Sequence, residues 1–256
     1  MLPPAPSASF AGGSVEATPY PVQMPDGLDD FRVLLADPDL EVAVSDLDGV
    51  LRVFDSALWD RLGTELGLGS GAVFEAILRN PLLEDVTRGR TTHAQWRESN
   101  VAELIRRGAE PEAAHHAVST WAAERGHLDP DVLAALVDAQ SRDVDVFVFT
   151  NGTDRVRQEI AELRASEQQQ PTAGPTAGRD AGLRELLDVQ GDHVLNSAEL
   201  GAIKPDQEAF EAGHRRIQQV LGRTIPRRAV AFLDDSANHV RAAEEFGWRA
   251  VRLTRA

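Results

Sequence analysis

The sequence predicts an α/β protein, in which a parallel sheet is covered by helices on both faces and carries a helical insertion. From residue 129 onward, short continuous apolar runs alternate with helical patterns, as expected for strands buried on both faces. Between residues 56 and 128, helical patterns instead follow one another with no strand signal between them. The helical block therefore interrupts the sheet just after its first strand.

The core elements follow from local patterns along the chain. Strands are predicted at 42–45, 144–149, 193–196, 229–233 and 249–253, where apolar runs of strand length stand between turn signals. Helical spacing of apolar residues predicts the helices between them. The first of these helices opens at Asp129-Pro130 and carries Leu133, Leu136 and Val137, and the second carries Val156, Ile160 and Leu163. The third covers 205–221, and the fourth ends near Gly247.

The helical block carries four amphipathic patterns. Pro111 suits the first turn of the last of them. Because open α/β sheets bind ligands beyond the carboxyl ends of their strands, an insertion at such an end predicts a lid over the site. The apolar positions are Leu58, Trp59, Leu62 and Leu66, then Val73, Phe74, Ile77 and Leu78, then Trp96, Val101, Leu104 and Ile105, then Val118, Trp121 and Ala122.

These patterns divide the chain into four parts. Residues 1–27, rich in Pro, Gly, Ser and Ala, are expected to form a flexible extension. Residues 28–55 and 129–256 form the predicted catalytic core, and 56–128 the helical cap. Residues 166–182, a tract of Gln, Pro, Thr and Gly, are expected to be a flexible insertion in the core that takes no part in the chemistry.

Composition restricts the classes of function. The 256 residues carry a net charge of −15 without a Lys/Arg cluster, so binding to nucleic acid or to an anionic membrane is not expected. The absence of cysteine excludes disulfides, thiolate metal sites and cysteine nucleophiles. No apolar stretch is long enough to span a bilayer, and the N-terminus lacks the features of a signal peptide, so a cytoplasmic location is expected.

Four polar clusters follow predicted strands or lie in adjacent loops. Each alone could be a turn or a helix cap. Because the carboxyl ends of parallel strands share one edge of a sheet, the clusters would together bring carboxylates, a hydroxyl, an amine and amide donors into one crevice. In an extended chain, the two acids of the first cluster would also face the same side. The clusters are Asp46-Leu-Asp48, Thr150-Asn151-Gly152, Gly201-Ala-Ile-Lys204-Pro205 and Asp234-Asp235-Ser236.

In their order, the four clusters resemble the four motifs of the haloacid dehalogenase superfamily of phosphohydrolases, across about residues 42–256. The phrases VLNSAELGAIKPD and FLDDS are similar to those of its subfamily with a helical cap after motif one. The stretch RGRTTHAQW at 88–96 also resembles a segment of that cap. The resemblance implies a Rossmann-like parallel sheet as the core and an inserted α-helical cap domain.

The resemblance also implies roles for the core residues. Asp46 would be the nucleophile that forms an aspartyl-phosphate. Asp48 would protonate the leaving group and then activate the hydrolytic water. Thr150 and the amide of Asn151 would bind phosphoryl oxygens, and Lys204 would neutralise both the phosphate and the nucleophile.

Mg²⁺ is the cofactor that the resemblance implies, since a hard ion suits an all-oxygen site with few protein ligands. Its ligands would be the carboxylates of Asp46 and Asp235 and the main-chain carbonyl of Asp48. Asp234 would contribute through water or from outside the ligand set. Relatives usually carry Asn or Asp four residues after the second aspartate of this motif, where this chain has His239. That histidine could be a hydrogen-bonding neighbour of the site or a surface residue.

The leading hypothesis is a Mg²⁺-dependent phosphatase, monomeric or homodimeric, that acts on a small soluble phosphorylated metabolite. Dehalogenases of this superfamily carry a non-acidic residue at the position of Asp48, because halide departure needs no proton, so Asp48 favours a phosphate ester. The alternatives are a sugar-phosphate mutase that uses the same intermediate and a non-catalytic binding protein of the same fold. The side chains of Arg52 and, in the cap, of Arg88, Arg90 and Trp96 could reach a substrate or could equally be solvated or packed.

Overall fold

The computed structural model describes residues 27–167 and 192–255. The predicted extension lies outside this range except for Gly27. The predicted insertion at 166–182 also lies outside it, apart from its first two residues, which belong to a helix. In the described ranges, no helix has both the length and the apolar character needed to cross a membrane.

Seven strands and eleven α-helices alternate along the described chain. In chain order the strands are β1 (Val42–Ser45), β2 (Arg52–Val53), β3 (His127–Leu128), β4 (Asp145–Thr150), β5 (Val194–Asn196), β6 (Val230–Asp234) and β7 (Arg249–Arg252). The helices are α1 (Leu28–Leu35), α2 (Ala57–Glu65), α3 (Ala72–Leu78), α4 (Leu83–Thr87), α5 (His93–Arg106), α6 (Pro111–Ala123), α7 (Pro130–Gln140), α8 (Val156–Glu167), α9 (Ser197–Leu200), α10 (Gln207–Leu221) and α11 (Ala237–Phe246).

The five predicted core strands form one parallel sheet in the order β5-β4-β1-β6-β7, which confirms the predicted fold class. β1 lies at the centre, and all four of its residues are buried. Its register places Ser45 beside Val148 of β4 and Leu233 of β6, so these three strands end at nearly the same level. The central position of β1 brings its carboxyl end between two neighbouring strand ends.

Successive strand residues contribute to two different hydrophobic clusters, one on each face of the sheet. Ala43 and Val146 belong to the cluster that includes α1, α7 and α8. Val44, Phe147 and Phe232 belong to the cluster that includes α10 and α11. Burial on both faces explains why the strands read as continuous apolar runs and not as alternating ones.

Several short elements, α9 among them, were not predicted. Helix α1 buries Leu28, Phe31 and Leu35, a helical spacing that the prediction left unassigned. Strands β2 and β3 pair antiparallel over two residues each, which is too short to give a periodic signal. They stand where the chain leaves the core and where it returns, so the block at 56–128 does contain strand residues at its end. Helix α4 was also missed.

Helices α2 to α6, called the cap helices below, have a hydrophobic core of their own. All of its buried members lie between Leu58 and Val118. Polar contacts tie the cap helices to the core: the His93 amide donates to Asp154 Oδ1 (2.7 Å), and Ser197 Oγ donates to the Thr87 carbonyl (2.6 Å). This arrangement agrees with an inserted cap, while the exact domain boundaries stay a prediction.

The helix that restarts the core, α7, is capped as its Asp-Pro start suggests. Asp129 accepts hydrogen bonds from the amides of Asp131 and Val132, each 2.9 Å long. The same carboxylate pairs with Arg255 at 2.6 Å, which ties the end of the chain to this helix.

We expect Asp129→Ala to lower the free energy of unfolding by about 1 to 2 kcal/mol, because two helix amides lose their acceptor. Urea denaturation followed by circular dichroism measures the change. Asp138→Ala, at an exposed carboxylate that pairs with Arg142 just after the end of the same helix, is the matched control and should cost less than about 0.5 kcal/mol. Equal losses in the two variants would contradict the capping role.

Candidate active site

The carboxyl end of β1 presents Asp46 in a fixed position. Its amide donates to the Leu233 carbonyl at 2.8 Å, and Ser45 Oγ donates to its carbonyl at 2.7 Å. The Asp46 residue is only 7% exposed. The sheet ladder therefore holds this carboxyl group almost immobile at the sheet edge.

Lys204 connects three neighbouring strand ends. Its Nζ donates to Asp234 Oδ2 at 2.7 Å and to the Phe149 carbonyl at 2.8 Å, and it lies 3.0 Å from Asp46 Oδ1. An ammonium group has three hydrogens, so these three acceptors satisfy it. Burial works to lower the pKa of Lys204, but the two carboxylates outweigh it and hold that pKa above its usual value.

The Lys204 backbone is held as firmly as its side chain. Asn151 Oδ1 accepts a hydrogen bond from the Lys204 amide, and Asn151 Nδ2 donates to the Lys204 carbonyl, both at 2.8 Å. Asn151 follows β4 directly, so the second polar cluster positions the third one. The sequence had suggested only the Asn151 amide as a functional group.

Two carboxyl groups compete for one ammonium in this buried cluster. Burial raises the pKa of Asp46 to about 7, against the opposing influence of Lys204 and with the help of the Asp234 charge. The pKa of Asp234 is lowered, because Lys204 and His239 outweigh the effect of its own burial. Asp46 is therefore the carboxyl group whose negative charge is less well compensated in this cluster.

A third carboxyl group, Asp235, completes an acidic triad that could hold a metal ion. Carboxylate oxygens of Asp46, Asp234 and Asp235 all lie within 4.8 Å of one another. Partial burial and then the Asp234 charge raise the pKa of Asp235. A set of oxygen ligands from few side chains is the chemistry that Mg²⁺ prefers, and a divalent cation would relieve the repulsion between these acids.

Within the triad, the Asp234 oxygens already have partners. Oδ1 accepts from the Ser236 amide at 2.8 Å, and Oδ2 accepts from Lys204. His239 Nδ1 lies 3.0 Å from Oδ1, so this histidine is the hydrogen-bonding neighbour and not a free surface residue. These contacts favour Asp46 and Asp235 as direct metal ligands and an outer place for Asp234.

Gly49 allows the loop after Asp48 to approach the triad closely. Its φ of +89° lies in the left-handed region, and a Cβ atom there would stand 2.7 Å from Asp235 Oδ2. Only glycine meets both demands without strain. Gly49, which directly follows the first cluster, is therefore needed for packing against Asp235 as well as for the turn.

Asp48 does not continue the extended course of β1, so the alternation expected of an extended chain does not apply to it. The chain turns after β1, with the Arg52 amide donating to the Leu47 carbonyl at 2.6 Å. The turn brings Arg52 onto Asp48, with Nε 2.5 Å from Oδ1 and Nη2 3.0 Å from Oδ2. Arg52 also donates to Glu159 at 3.3 Å.

Arg52 is the site residue that sequence reasoning assigned least well. It is 3% exposed, so the solvated role considered for it is wrong. The signal in the sequence was a lone arginine in the apolar run Val50–Phe54, four residues after an aspartate. Arg88, considered with it, instead pairs with Asp206 at 2.6 Å, between a cap helix and the core.

Between the cap helices and these strand ends lies a cavity of about 360 Å³. Asp48, Arg52, Asn151 and Glu159 line its core side, and side chains of α2, α5 and α6 line its other side. Thr150 is the last residue of β4, 2% exposed, beside the central strand and next to Asn151. The roles suggested for these residues stay predictions.

Comparison with known proteins agrees with this arrangement. A family model described as haloacid dehalogenase-like hydrolase matches residues 40–247. Phosphatase MT3486 of Mycobacterium tuberculosis is 28% identical over 222 residues, which cover 84% of this chain and 88% of that protein.

Two solved structures show the same fold at low identity. A HAD family enzyme from Bacteroides thetaiotaomicron, in complex with magnesium and inorganic phosphate, has a TM-score of 0.55 at 18% identity, and the match covers 83% of this chain and 93% of that one. The L-2-haloacid dehalogenase from Xanthobacter autotrophicus has a TM-score of 0.51 at 18% identity, covering 82% and 76%.

These structural matches support the fold alone. The family model, in contrast, spans most of the chain and includes all four polar clusters. The chain therefore belongs to the haloacid dehalogenase-like hydrolase family.

Proposed function

We propose that this hydrolase is a Mg²⁺-dependent phosphatase that cleaves a small soluble phosphomonoester through an aspartyl-phosphate. The observation that carries the proposal is the buried Asp46 carboxyl group, 3.0 Å from Lys204 Nζ and beside Asp234 and Asp235. The relative from M. tuberculosis is named a phosphatase, and the Bacteroides enzyme was crystallised with magnesium and inorganic phosphate. Both support the proposal.

In the first half of the reaction, an Asp46 oxygen attacks phosphorus in line with the ester oxygen. The bond from phosphorus to the ester oxygen breaks as the new bond forms, and Asp48 gives its proton to the departing alkoxide. Thr150 and the Asn151 amide hold the phosphoryl oxygens, and the fixed charge of Lys204 neutralises them. The products of this half are the alcohol and the aspartyl-phosphate.

In the second half, water attacks the same phosphorus and gives a proton to Asp48. The bond between phosphorus and the Asp46 oxygen breaks, so the carboxylate and inorganic phosphate are released. The Asp46 and Asp235 carboxylates and the Asp48 carbonyl would hold Mg²⁺, with Asp234 acting through water. When bound, the ion would neutralise charge on the phosphoryl oxygens.

In this mechanism Asp48 must leave its ion pair with Arg52 before it can protonate the leaving group. An acid that gives a proton to the substrate must turn away from the guanidinium that now occupies both of its oxygens. Glu159, the other partner of Arg52, remains available to hold the guanidinium when that pair opens. We therefore propose that substrate binding separates Asp48 from Arg52.

Dehalogenase activity, known for some solved relatives, is the less favoured chemistry for this chain. Halide leaves without a proton, so an acid at position 48 would have no task in that reaction. In phosphate ester hydrolysis the same acid has two tasks, which are to protonate the leaving group and then to take a proton from water. The sugar-phosphate mutase is distinguished by its product, since it returns the phosphoryl group to a sugar instead of releasing it.

We expect Asp46→Asn to reduce phosphatase turnover by at least about 10⁴-fold, because the amide cannot attack phosphorus. The measurement is release of inorganic phosphate from a panel of phosphorylated metabolites, with Mg²⁺, after chelation, and after Mg²⁺ is restored. Asp39→Asn makes the same chemical change at an exposed aspartate and should leave turnover unchanged.

Three results would contradict the proposal: full activity of Asp46→Asn, hydrolysis that is indifferent to chelation, and no hydrolysis across the panel. Transfer of phosphate between positions of a phosphosugar, with no steady release of inorganic phosphate, would indicate the mutase. Circular dichroism of Asp46→Asn checks that the variant is folded.

We expect Asp48→Asn to slow hydrolysis of an alkyl phosphate by about 10²- to 10⁴-fold, because the alkoxide leaves without a proton. With 2,4-dinitrophenyl phosphate, whose leaving group needs no proton, the aspartyl-phosphate should still form at a normal rate. Its hydrolysis should stay slow, because Asp48 is needed to take a proton from water. Stopped-flow absorbance should therefore show a burst of dinitrophenolate stoichiometric with enzyme. Equal losses on both substrates, without a burst, would count against the acid role.

We expect Asp235→Asn to raise the Mg²⁺ concentration needed for half-maximal activity by at least about tenfold, since a direct ligand loses its charge. Activity measured over a Mg²⁺ titration gives this concentration for the variant and for the Asp39→Asn control. An unchanged midpoint would remove Asp235 from the ligand set.

A further inference from the structure

We propose that the cavity selects phosphomonoesters whose alcohol part is an apolar, ring-bearing group without a second anionic charge. This inference deepens the proposed function and rests on it, because Asp48 and Asn151 of the proposed site line the core side of the cavity and so set the phosphoryl group at that end. The alcohol part then lies among the cap helices. Its chemistry follows from the side chains found there.

An aromatic wall forms the cap side of the cavity. Three of the four tryptophans of the chain, Trp59, Trp96 and Trp121, line it, together with Phe54. The Trp96 and Trp121 rings meet edge to face at 5.2 Å, and Trp59 lies 6.3 Å from Trp121. These rings come from three different helices, so each holds the others in place and the wall is rigid.

Apart from the acids Asp55 and Glu124 and the hydroxyl of Thr87, the remaining cap lining is largely apolar. Leu58, Leu78 and Leu83 extend the apolar surface. His93 stacks on Trp121 at 6.4 Å, and its burial, followed by the charge of Arg155, lowers its pKa to about 4, so it is neutral at physiological pH. A polyol such as a sugar would lose water here and find little to replace it, whereas a ring would gain apolar contact.

The charged groups of the cavity disfavour a second anion. Four carboxylates line it, against the single guanidinium of Arg52. Asp48 and Glu159 share that guanidinium, and Asp55 lies 3.8 Å from Arg61 outside the lining, which leaves Glu124 on the cap side with no cation of the lining beside it. A carboxylate or second phosphate on the alcohol part would meet these acids, and a neutral ring would not.

The volume of the cavity fits one such ring. About 360 Å³ lies at the small end of the range for ligand pockets, enough for a phosphoryl group and a single ring on a short linker. A probe of this shape is 2-phenylethyl phosphate. Glycerol 3-phosphate is a matched primary alkyl ester with a hydrophilic alcohol, and 2-(4-carboxyphenyl)ethyl phosphate adds only the second anion.

The test compares kcat/KM for these three esters and for acetyl phosphate, which has no group to reach the cap. We expect 2-phenylethyl phosphate to exceed glycerol 3-phosphate by about 30-fold, the value of burying one ring. The carboxylated ester should fall below the plain one. Higher kcat/KM for glycerol 3-phosphate or for the carboxylated ester would overturn the proposal.

Two variants test the wall and the acids separately. Trp121→Leu keeps an apolar side chain but removes a ring, and should lower kcat/KM for 2-phenylethyl phosphate by about tenfold with acetyl phosphate hydrolysis unchanged. Glu124→Gln should raise kcat/KM for the carboxylated ester by about threefold with the plain ester unchanged. Ile105→Ala, in a cap helix outside the lining, is the control and should change neither.

A binding measurement separates this inference from the proposed function. Titration of 2-phenylethyl phosphate into Asp46→Asn should quench tryptophan fluorescence, because three tryptophans line the cavity, and glycerol 3-phosphate should not. If none of the four phosphates is hydrolysed but this quenching is seen, the phosphatase proposal fails and the cavity specificity stands. If acetyl phosphate is hydrolysed and Trp121→Leu weakens all four substrates equally, the cavity specificity fails.

Discussion

The site depends on one buried ammonium group, Lys204 Nζ, and on the acceptors that β1, β4 and β6 bring to it. Taking this charge out of water is costly unless every hydrogen is bonded and an opposite charge is near. Asp46, Phe149 and Asp234 meet that condition, each from a different strand. The parallel order of the sheet therefore satisfies the lysine, and the lysine keeps the three strand ends in register.

The same arrangement leaves the site short of positive charge. One ammonium stands among three carboxyl groups, and burial, with the charge of Asp234, raises the Asp46 pKa to about 7 against the influence of Lys204. His239 supports Asp234, which frees Asp46 and Asp235 to serve a cation. Arg52 relieves the neighbouring acids, Asp48 and Glu159, on the cavity side. The charges thus separate into a cluster that could hold a metal ion and a second cluster that lines the cavity.

The cap helices contribute a different kind of surface. Their own hydrophobic core holds them together, and polar contacts such as that between His93 and Asp154 hold them over the strand ends. The core side of the cavity is charged, and the cap side is aromatic. A phosphomonoester has the same division, with a charged phosphoryl group at one end and an organic group at the other.

The sequence by itself determined the sheet and the core of the site. Continuous apolar runs mark strands that are buried on both faces, and polar residues directly after such strands must meet at one edge. This pattern alone is enough to group Asp46, Asp234 and Asp235, whereas Lys204 lies beyond α9, eight residues after the end of β5. The predicted strands ended one residue too early, since Thr150 and Asp234 are the last residues of their strands and not the first of the loops. A pattern of apolar residues does not show whether a polar residue at its end still belongs to the strand.

Only the tertiary structure decided the contacts that have no periodic signal. The pair of Arg52 with Asp48 arises from a tight turn, and β2 and β3 are too short to show alternation. The place of His239 beside Asp234, and the meeting of three tryptophans from separate helices, depend on how the elements pack together. Local patterns report which face of an element is buried, while the partners of a side chain are set by elements distant in sequence.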